Sequence, residues 1–259
     1  VTEELKDKPH SLVAIDNVPN LDQCDTEDLI DRIRSLRAMG VGVFISCRPS
    51  NRQLIHGLGD SVKINAQMLK VHAYEYSAWA SAFSISTSLD FYQLTQGVPE
   101  LVSALQTGLY GQGDVAGLLE NEIVNVYGAA LVDLASLDNN ALFCVACLMI
   151  LMGEGNIAEL EACGVRLSMI DQSYLVRDYP IFGLDPADRS FTCLGAEDNG
   201  RLRLRKLVAE IRPELVPRAA RILLKAGRCD AAMDLADAFL DRSVVLELAG
   251  QYGVDLALT

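Results

Sequence analysis

The chain has 259 residues, of which 50% are apolar and 6% aromatic, and its formal net charge is −13. This length accommodates two or more domains. The acidic balance argues against a general polyanion-binding protein, because phosphate contacts need an excess of Lys and Arg. The seven scattered cysteines do not frame short loops, as those of disulfide-stabilised domains do, and they suit a reducing cytoplasm.

The first predicted elements form a parallel β-α-β unit. The sequence LVAID places an apolar run before Asp16, an amphipathic helix follows, and a second run, VFISC, ends before Arg48. Unbroken apolar runs of this kind are typical of parallel strands that are covered on both faces. The sequence SVKI at 61–64 is interpreted as a third strand. Residues 1–66 are therefore predicted to be part of a doubly wound sheet.

The end of the first strand has two interpretations. In open α/β sheets ligands bind at the carboxyl ends of the strands, so the carboxylate of Asp16 stands where a ligand or a metal would be. Alternatively, Asp16 and Asn17 simply begin a polar turn, as Asp and Asn commonly do. Because the chain starts at Val1, without Met and close to a core strand, we interpret it as an excised fragment.

The middle of the chain shows almost only helical periodicity. Two helices flank the sequence QGVP, with its Gly97 and Pro99, and a longer helix covers GLLENEIVNVYGAALVDLAS. These segments predict a helical domain over residues 67–135. The longest apolar run, Ala141–Met152, is shorter than the ~20 residues that span a bilayer. It therefore predicts a buried core helix, and we expect no membrane association.

Two further regions complete the predicted organisation. Residues 136–200 contain three helices, with caps at Asn156 and Ser168, and then two short strands, PIFG and SFTCL; this order describes a winged helix. Residues 201–259 contain helices around a break at Gly227 and are similar to the start of a helical-repeat solenoid. The predicted fold is thus mainly α, with an N-terminal partial α/β parallel sheet.

Basic residues are concentrated in one strip of this acidic chain. Residues 201–228 contain nine Lys and Arg residues against Glu210 and Glu214. We interpret the strip as a solvated helix face or as a partner for the chain's own acidic helices, the alternative being a nucleic-acid patch.

The order of these segments resembles one family over essentially the whole chain. It is similar to the STAND class of P-loop ATPases and, within it, to the MalT-like LuxR-family transcriptional regulators. The resemblance implies that LVAID is the Walker B strand and that Asp16 holds Mg²⁺ through its water shell. It places Arg48 near the terminal phosphate of ATP or ADP, and Gly97 and Pro99 in the turn that packs against adenine.

Three departures from the family pattern qualify these expectations. The Gly-rich phosphate loop, Walker A, is absent, so we expect no nucleotide cofactor to bind this fragment alone. Many relatives carry a second acid where this chain has Asn17, which cannot accept a proton from water, so any hydrolysis should be slow. Cys193 replaces a histidine that reaches the phosphate in relatives, which argues against a nucleotide sensor in the winged domain.

Other candidate sites carry less chemistry. Cys144 and Cys147 form a C-x-x-C inside an apolar helix, which favours a buried structural pair over a zinc site. The histidines at 10, 56 and 72 are isolated, and no nucleophile motif surrounds them.

These features predict a fragment of a cytoplasmic, ATP-dependent signalling switch that regulates transcription and, when intact, is a weak ATPase. Nucleotide would be held between the α/β and helical domains. A small-molecule or protein inducer on the solenoid would favour a self-associating form, and DNA would be bound only by a separate domain. The alternatives are a nucleotide-free helical interaction scaffold and an AAA+ ATPase of the replication-initiator kind.

Overall fold

A computed structural model describes residues 11–82, 89–111, 114–137, 140–185, 187–194 and 198–253. The chain divides into a first unit, Val1–Lys63, and a second unit, Ile64–Thr259, which are described separately. Most described residues are helical, and each unit contains one small sheet.

The first unit is a parallel β-α-β arrangement with one further helix. Its elements are β1 (Leu12–Val18), α1 (Gln23–Ala38), β2 (Gly42–Cys47) and α2 (Arg52–Gly57). The two strands are parallel neighbours, with Val13 opposite Val43 and Ile15 opposite Ile45. The prediction of two adjacent parallel strands joined by a helix is therefore confirmed.

Within the first unit, the described elements cover one face of this two-stranded sheet. Ile30 and Ile33 of α1 and Leu54 of α2 form a small core with Val18. On the opposite face Leu12 is 72% exposed and Phe44 54% exposed. The expectation that both faces of these strands are covered is not met within this unit, because none of its described elements packs against the second face.

The third predicted strand is absent. Residues 61–64 have no strand geometry, and Val62 is 93% exposed. A strand needs a neighbour that completes its ladder of backbone hydrogen bonds. Among the described residues of the first unit, β1 and β2 pair only with each other.

The second unit begins with helices. A short 3₁₀ helix is followed by five α-helices: 3₁₀ (Ala66–Leu69), α3 (Ala73–Ala82), α4 (Leu89–Thr95), α5 (Pro99–Gly111), α6 (Val115–Ala135) and α7 (Asn140–Met152). Every residue of α7 from Val145 to Met152 is buried, which confirms the predicted core helix.

A three-stranded antiparallel sheet and two short helices follow α7. The elements are β3 (Glu154–Asn156), α8 (Ile157–Ala162), α9 (Met169–Asp178), β4 (Phe182–Leu184) and β5 (Ser190–Cys193). The sheet order is β3-β5-β4, so the predicted hairpin is confirmed and β3 is an additional strand. Capping boxes at Asn156 and Ser168 begin α8 and α9, as predicted.

Four helices complete the described chain. They are α10 (Asp198–Ile211), α11 (Leu215–Lys225), α12 (Cys229–Phe239) and α13 (Arg242–Tyr252). Both α10 and α11 pack against α7, and α11 also packs against α12. Several side chains of the basic strip contact the chain itself: Arg203 lies 3.8 Å from Glu120 on α6, and Arg212 pairs with Glu214. These contacts agree with the interpretation that the strip serves the chain's own acids.

One helix, α6, is long and apolar enough to cross a membrane by length and composition. Its residues Leu119, Ile123, Tyr127 and Leu134 are buried in the protein core. A core helix of a soluble protein meets the same criteria, so a single such helix is weak evidence for a membrane span.

Candidate functional site

The carboxyl end of β1 contains a backbone irregularity at the predicted Walker B position. Asp16 is followed by Asn17, which has a φ of 54°, a left-handed conformation that Asn tolerates better than most residues. The pairing register with β2 shifts between Ile15 and Val18. The strand therefore continues past Asp16 instead of ending there, and Asp16 and Asn17 lie in a bulge.

Ser46 on the neighbouring strand holds this bulge. Its hydroxyl donates a hydrogen bond to Oδ1 of Asp16, and its oxygen accepts one from the backbone N–H of Asn17 at 2.7 Å. The Ser46 side chain thus orients the Asp16 carboxylate. It also provides an acceptor for the backbone N–H of Asn17, which lies where the register of the β1–β2 hydrogen bonds shifts. The sequence analysis missed Ser46, although a serine within the apolar run VFISC is a signal that could have identified it.

The loops after the two strands are also joined by side chains. The Asn51 side-chain amide donates to the carbonyl of Pro19 at 3.0 Å, and Asn51 is buried. The side-chain amide of Asn20 donates to the hydroxyl of Ser50 at 2.9 Å. These bonds hold the carboxyl ends of β1 and β2 side by side, where ligands bind in open α/β sheets.

Arg48 is the first residue after β2 and is exposed. In the described part of the chain its guanidinium makes no hydrogen bond or ion pair, so its five donors face solvent. The structure thus joins Asp16, Asn17 and Ser46 directly and puts Arg48 at the end of the adjacent strand.

Asp16 and its neighbours could provide only part of the ligands of a magnesium site. Among the described residues no group of three or more His, Cys, Asp or Glu side chains is arranged to hold a metal. A lone carboxylate such as Asp16 fits Mg²⁺ that keeps most of its water and takes its other ligands from phosphates. The Asp16 carboxylate therefore fits outer-shell binding of Mg²⁺, not a cage formed by protein ligands alone.

The predicted adenine turn lies in the second unit, between α4 and α5. Gly97 has a φ of 73°, and its carbonyl accepts a hydrogen bond from the N–H of Val71 at 2.8 Å. A Cβ at Gly97 would lie 2.0 Å from the carbonyl oxygen of Val71. Pro99 is the first residue of α5, a position where its missing N–H costs nothing. Both sequence-predicted residues therefore have clear structural roles in this turn.

An open cleft of about 380 Å³ lies beside this turn. Lys70 is half-buried there, and desolvation by burial lowers the pKa of its ammonium. The ring of His72 stacks on Tyr74, with 5.6 Å between the ring centroids. The side chains that line the cleft come from two segments brought together by the Val71–Gly97 bond: Gln67, Lys70, His72, Tyr92, Gln93 and Gln96.

This cleft was missed by the sequence analysis, which treated His72 as isolated. Lys, His, Tyr and three Gln side chains provide donors and acceptors around a cavity large enough for a small planar or anionic molecule. No local motif marks these residues, because the two segments are separated by α3 in the sequence.

The remaining candidates agree with structural roles. Burial raises the pKa of the Cys147 thiol to about 12, and Cys144 accepts a hydrogen bond from Arg212 at 3.3 Å. Cys193 is buried in β5. His56 lies in the last turn of α2, and His10 lies outside the described residues. Among the described residues, no metal-binding group includes Cys144 and Cys147.

Comparison of the chain with protein-family models, with curated proteins and with solved structures gives no match.

Proposed function

We propose that the chain is part of an ATP-dependent signalling switch of the STAND type that regulates transcription. The observation that carries the proposal is the hydrogen-bonded group of Asp16, Ser46 and Asn17 at the carboxyl ends of two adjacent parallel strands. A carboxylate fixed at this edge is what a Walker B strand requires. An exposed arginine, Arg48, follows the second strand, as a phosphate-sensing residue would.

Each residue then has a defined role. Asp16 would hold Mg²⁺ through its water shell, and Ser46 fixes the direction of that carboxylate. Bound Mg²⁺ would neutralise charge on the phosphates. Arg48 contacts the terminal phosphate through its planar fork. Asn17 supplies no general base, so hydrolysis is slow and acts as a timer.

The second unit would supply the adenine-facing turn and the signalling elements. The turn at Gly97 and Pro99 and the cleft beside it, with its Gln, His and Tyr side chains, fit a planar, hydrogen-bonding base. In this proposal α7 to α9 with the three-stranded sheet form a winged helix, and α11 to α13 begin a helical repeat that receives a small-molecule or protein inducer. Self-association would follow in the cytoplasm, and DNA would be bound by a separate domain.

The test is a calorimetric titration of Mg·ATP and Mg·ADP into the full natural protein that contains this sequence. We expect saturable binding, and Arg48→Ala should reduce the preference for ATP over ADP by about tenfold, because a charge-assisted contact to the terminal phosphate is lost. Arg34→Ala, on an exposed face of α1, is the matched control and should leave the preference unchanged. Failure to bind at millimolar nucleotide would reject the proposal.

A nucleotide-free interaction scaffold is the second candidate. It is favoured by the exposed sheet face that carries Leu12 and Phe44. The replication-initiator alternative is less favoured, because the one basic residue of α9, Arg177, is paired with Asp178.

A further inference from the structure

Two arginines of α10 meet the carboxyl end of the core helix α7. Arg205 is 7% exposed, and its Nε donates to the carbonyl of Leu151 at 2.8 Å. Arg201 lies about one turn earlier on α10 and packs directly on Gly153. A Cβ built on Gly153 would lie 2.5 Å from Nη2 of Arg201. The absence of a side chain at Gly153 therefore allows this guanidinium to approach.

A third guanidinium reaches the same turn from the start of α12. Arg228 donates to the backbone carbonyl of Glu154, and its Nη2 lies 3.4 Å from the Glu154 carboxylate. Asp234 acts electrostatically on Arg205, against the positive charges of Arg201 and Arg228. Among the described residues, two carboxylates, those of Glu154 and Asp234, thus face three positive charges, which leaves an excess positive charge.

The contacts with the end of α7 do not use all the donors of this three-arginine cluster, Arg201, Arg205 and Arg228. Nε of Arg201 and Nη2 of Arg205 are buried and have no hydrogen-bond partner among the described residues. Burial, together with the charge of Arg201, lowers the pKa of Arg205 to about 10. A buried donor without an acceptor is unfavourable, and more so when it is charged. The cluster therefore favours an additional negatively charged acceptor.

We propose that the three-arginine cluster binds the oxyanion of a phosphate group. A phosphate presents several oxygens, so it accepts from the forks of Arg201 and Arg205 together and balances the excess positive charge. The phosphate is either the free ion or the phosphoryl group of a metabolite. This site lies within the second unit and does not depend on the proposed nucleotide switch.

The test is isothermal titration calorimetry of the 259-residue chain with inorganic phosphate and, separately, with glycerol 3-phosphate. Sodium chloride keeps the ionic strength constant. We expect saturable binding of one phosphate per chain. Tighter binding of the free ion would identify inorganic phosphate as the ligand, and tighter binding of the ester would identify a phosphorylated metabolite.

Variants locate the binding. Arg201→Gln should weaken phosphate affinity by about tenfold, because one charged fork is lost. Arg221→Gln removes the same charge from an exposed position on α11 and should change the affinity by less than about twofold. Arg201→Lys keeps the positive charge but lacks the planar guanidinium, and it should give an intermediate loss of phosphate affinity. This variant provides the test if Arg201→Gln does not fold.

Two results would overturn the proposal. The first is unchanged affinity in the folded Arg201 variants. The second is failure of the unsubstituted chain to bind either ligand, which would show that the cluster does not take a phosphate.

Discussion

At the scale of single residues, the proposed site depends on Ser46, which belongs to no recognised sequence motif. Ser46 joins the Asp16 carboxylate and the Asn17 backbone across two strands. Asn17 adopts a left-handed conformation at the same place. Such strained positions persist where surrounding contacts hold them and are often found at functional sites. The hydroxyl of Ser46 is therefore expected to matter for the stability of the first unit as well as for the direction of the carboxylate.

Ser46→Ala should lower the free energy of unfolding of the first unit by about 1 kcal/mol, since two hydrogen bonds are lost at a half-buried position. Urea denaturation measures the change. Ser35→Ala is the matched control, because Ser35 is exposed on α1 and, among the described residues, its hydroxyl bonds only to the carbonyl of Asp31. Equal effects of the two substitutions would show that Ser46 has no special role in holding the bulge.

Gly97 combines two constraints, a positive φ and a close approach of another backbone segment. Gly97→Ala should cost about 3 kcal/mol or more, because the new methyl group would be strained at a φ of 73° and would also clash with the carbonyl of Val71. Gly164→Ala is the control: its φ is 79° and a Cβ there meets nothing within 4 Å, so it should cost only about 1 kcal/mol. Thermal unfolding of both variants tests this, and similar losses would contradict the predicted clash.

At the scale of elements, α7 organises the second unit. Its buried face and its neighbours α10 and α11 form one continuous core. The apolar composition of α7 predicts burial, but its sequence does not indicate which helices cover it. Tyr127 of α6 contributes a polar contact to the same core, because its hydroxyl lies within hydrogen-bond distance of the carbonyls of Ile181 and Leu194.

The thiol of Cys147 on α7 should make stability depend on alkaline pH. Burial raises the pKa of this thiol from 9.0 to about 12 in the folded chain. As the pH rises, the thiol of Cys147 therefore loses its proton in the unfolded chain before it does so in the folded chain. The stability that the buried neutral thiol contributes is present below pH 9 and is lost as the pH rises from 9 towards 12. The loss approaches about 1.4 kcal/mol per pH unit.

Unfolding measured between pH 8 and 11 tests this effect. The free energy of unfolding should fall less steeply with pH in Cys147→Ala than in the unsubstituted chain. The slope should be unchanged in Cys24→Ala, since Cys24 is exposed. A slope that does not change in Cys147→Ala would exclude this thiol as its source.

At the scale of the whole molecule, the two units differ in how much apolar surface they bury. The first unit has a small core around Val18, Ile30, Ile33 and Leu54, and one face of its sheet is open. The second unit contains a large continuous core. Since the free energy of local opening follows burial, the two units should not be equally protected.

Hydrogen exchange should therefore be faster in the first unit. Amides of β1 and β2 are expected to exchange before those of α7, with mass spectrometry of peptides as the measurement. Peptides from the exposed segment around Val62 provide the fast reference. Equal protection of β2 and α7 would contradict the expected difference in local stability.

Much of the architecture could be predicted from local patterns. The parallel pair β1 and β2, the core helix α7, the hairpin of β4 and β5 and both capping boxes follow from apolar runs, turn residues and short polar spacings. The prediction of a strand at 61–64 was wrong, because it rested on a local apolar pattern. A strand forms only where a neighbouring strand completes its backbone hydrogen bonds. The additional strand β3 carries no such pattern and forms because β5 lies beside it.

The sequence by itself determined which run is buried, where α8 and α9 begin, and that Asp16 and Arg48 lie near the carboxyl ends of consecutive strands. These features depend on hydrogen bonds and periodicity within a few residues of each other. Only the tertiary structure decided that Ser46 holds Asp16, that Lys70 and His72 line one cleft, and that three arginines meet at Gly153. Such groupings join distant segments, because the packing of the core, and not the local sequence, determines which side chains become neighbours.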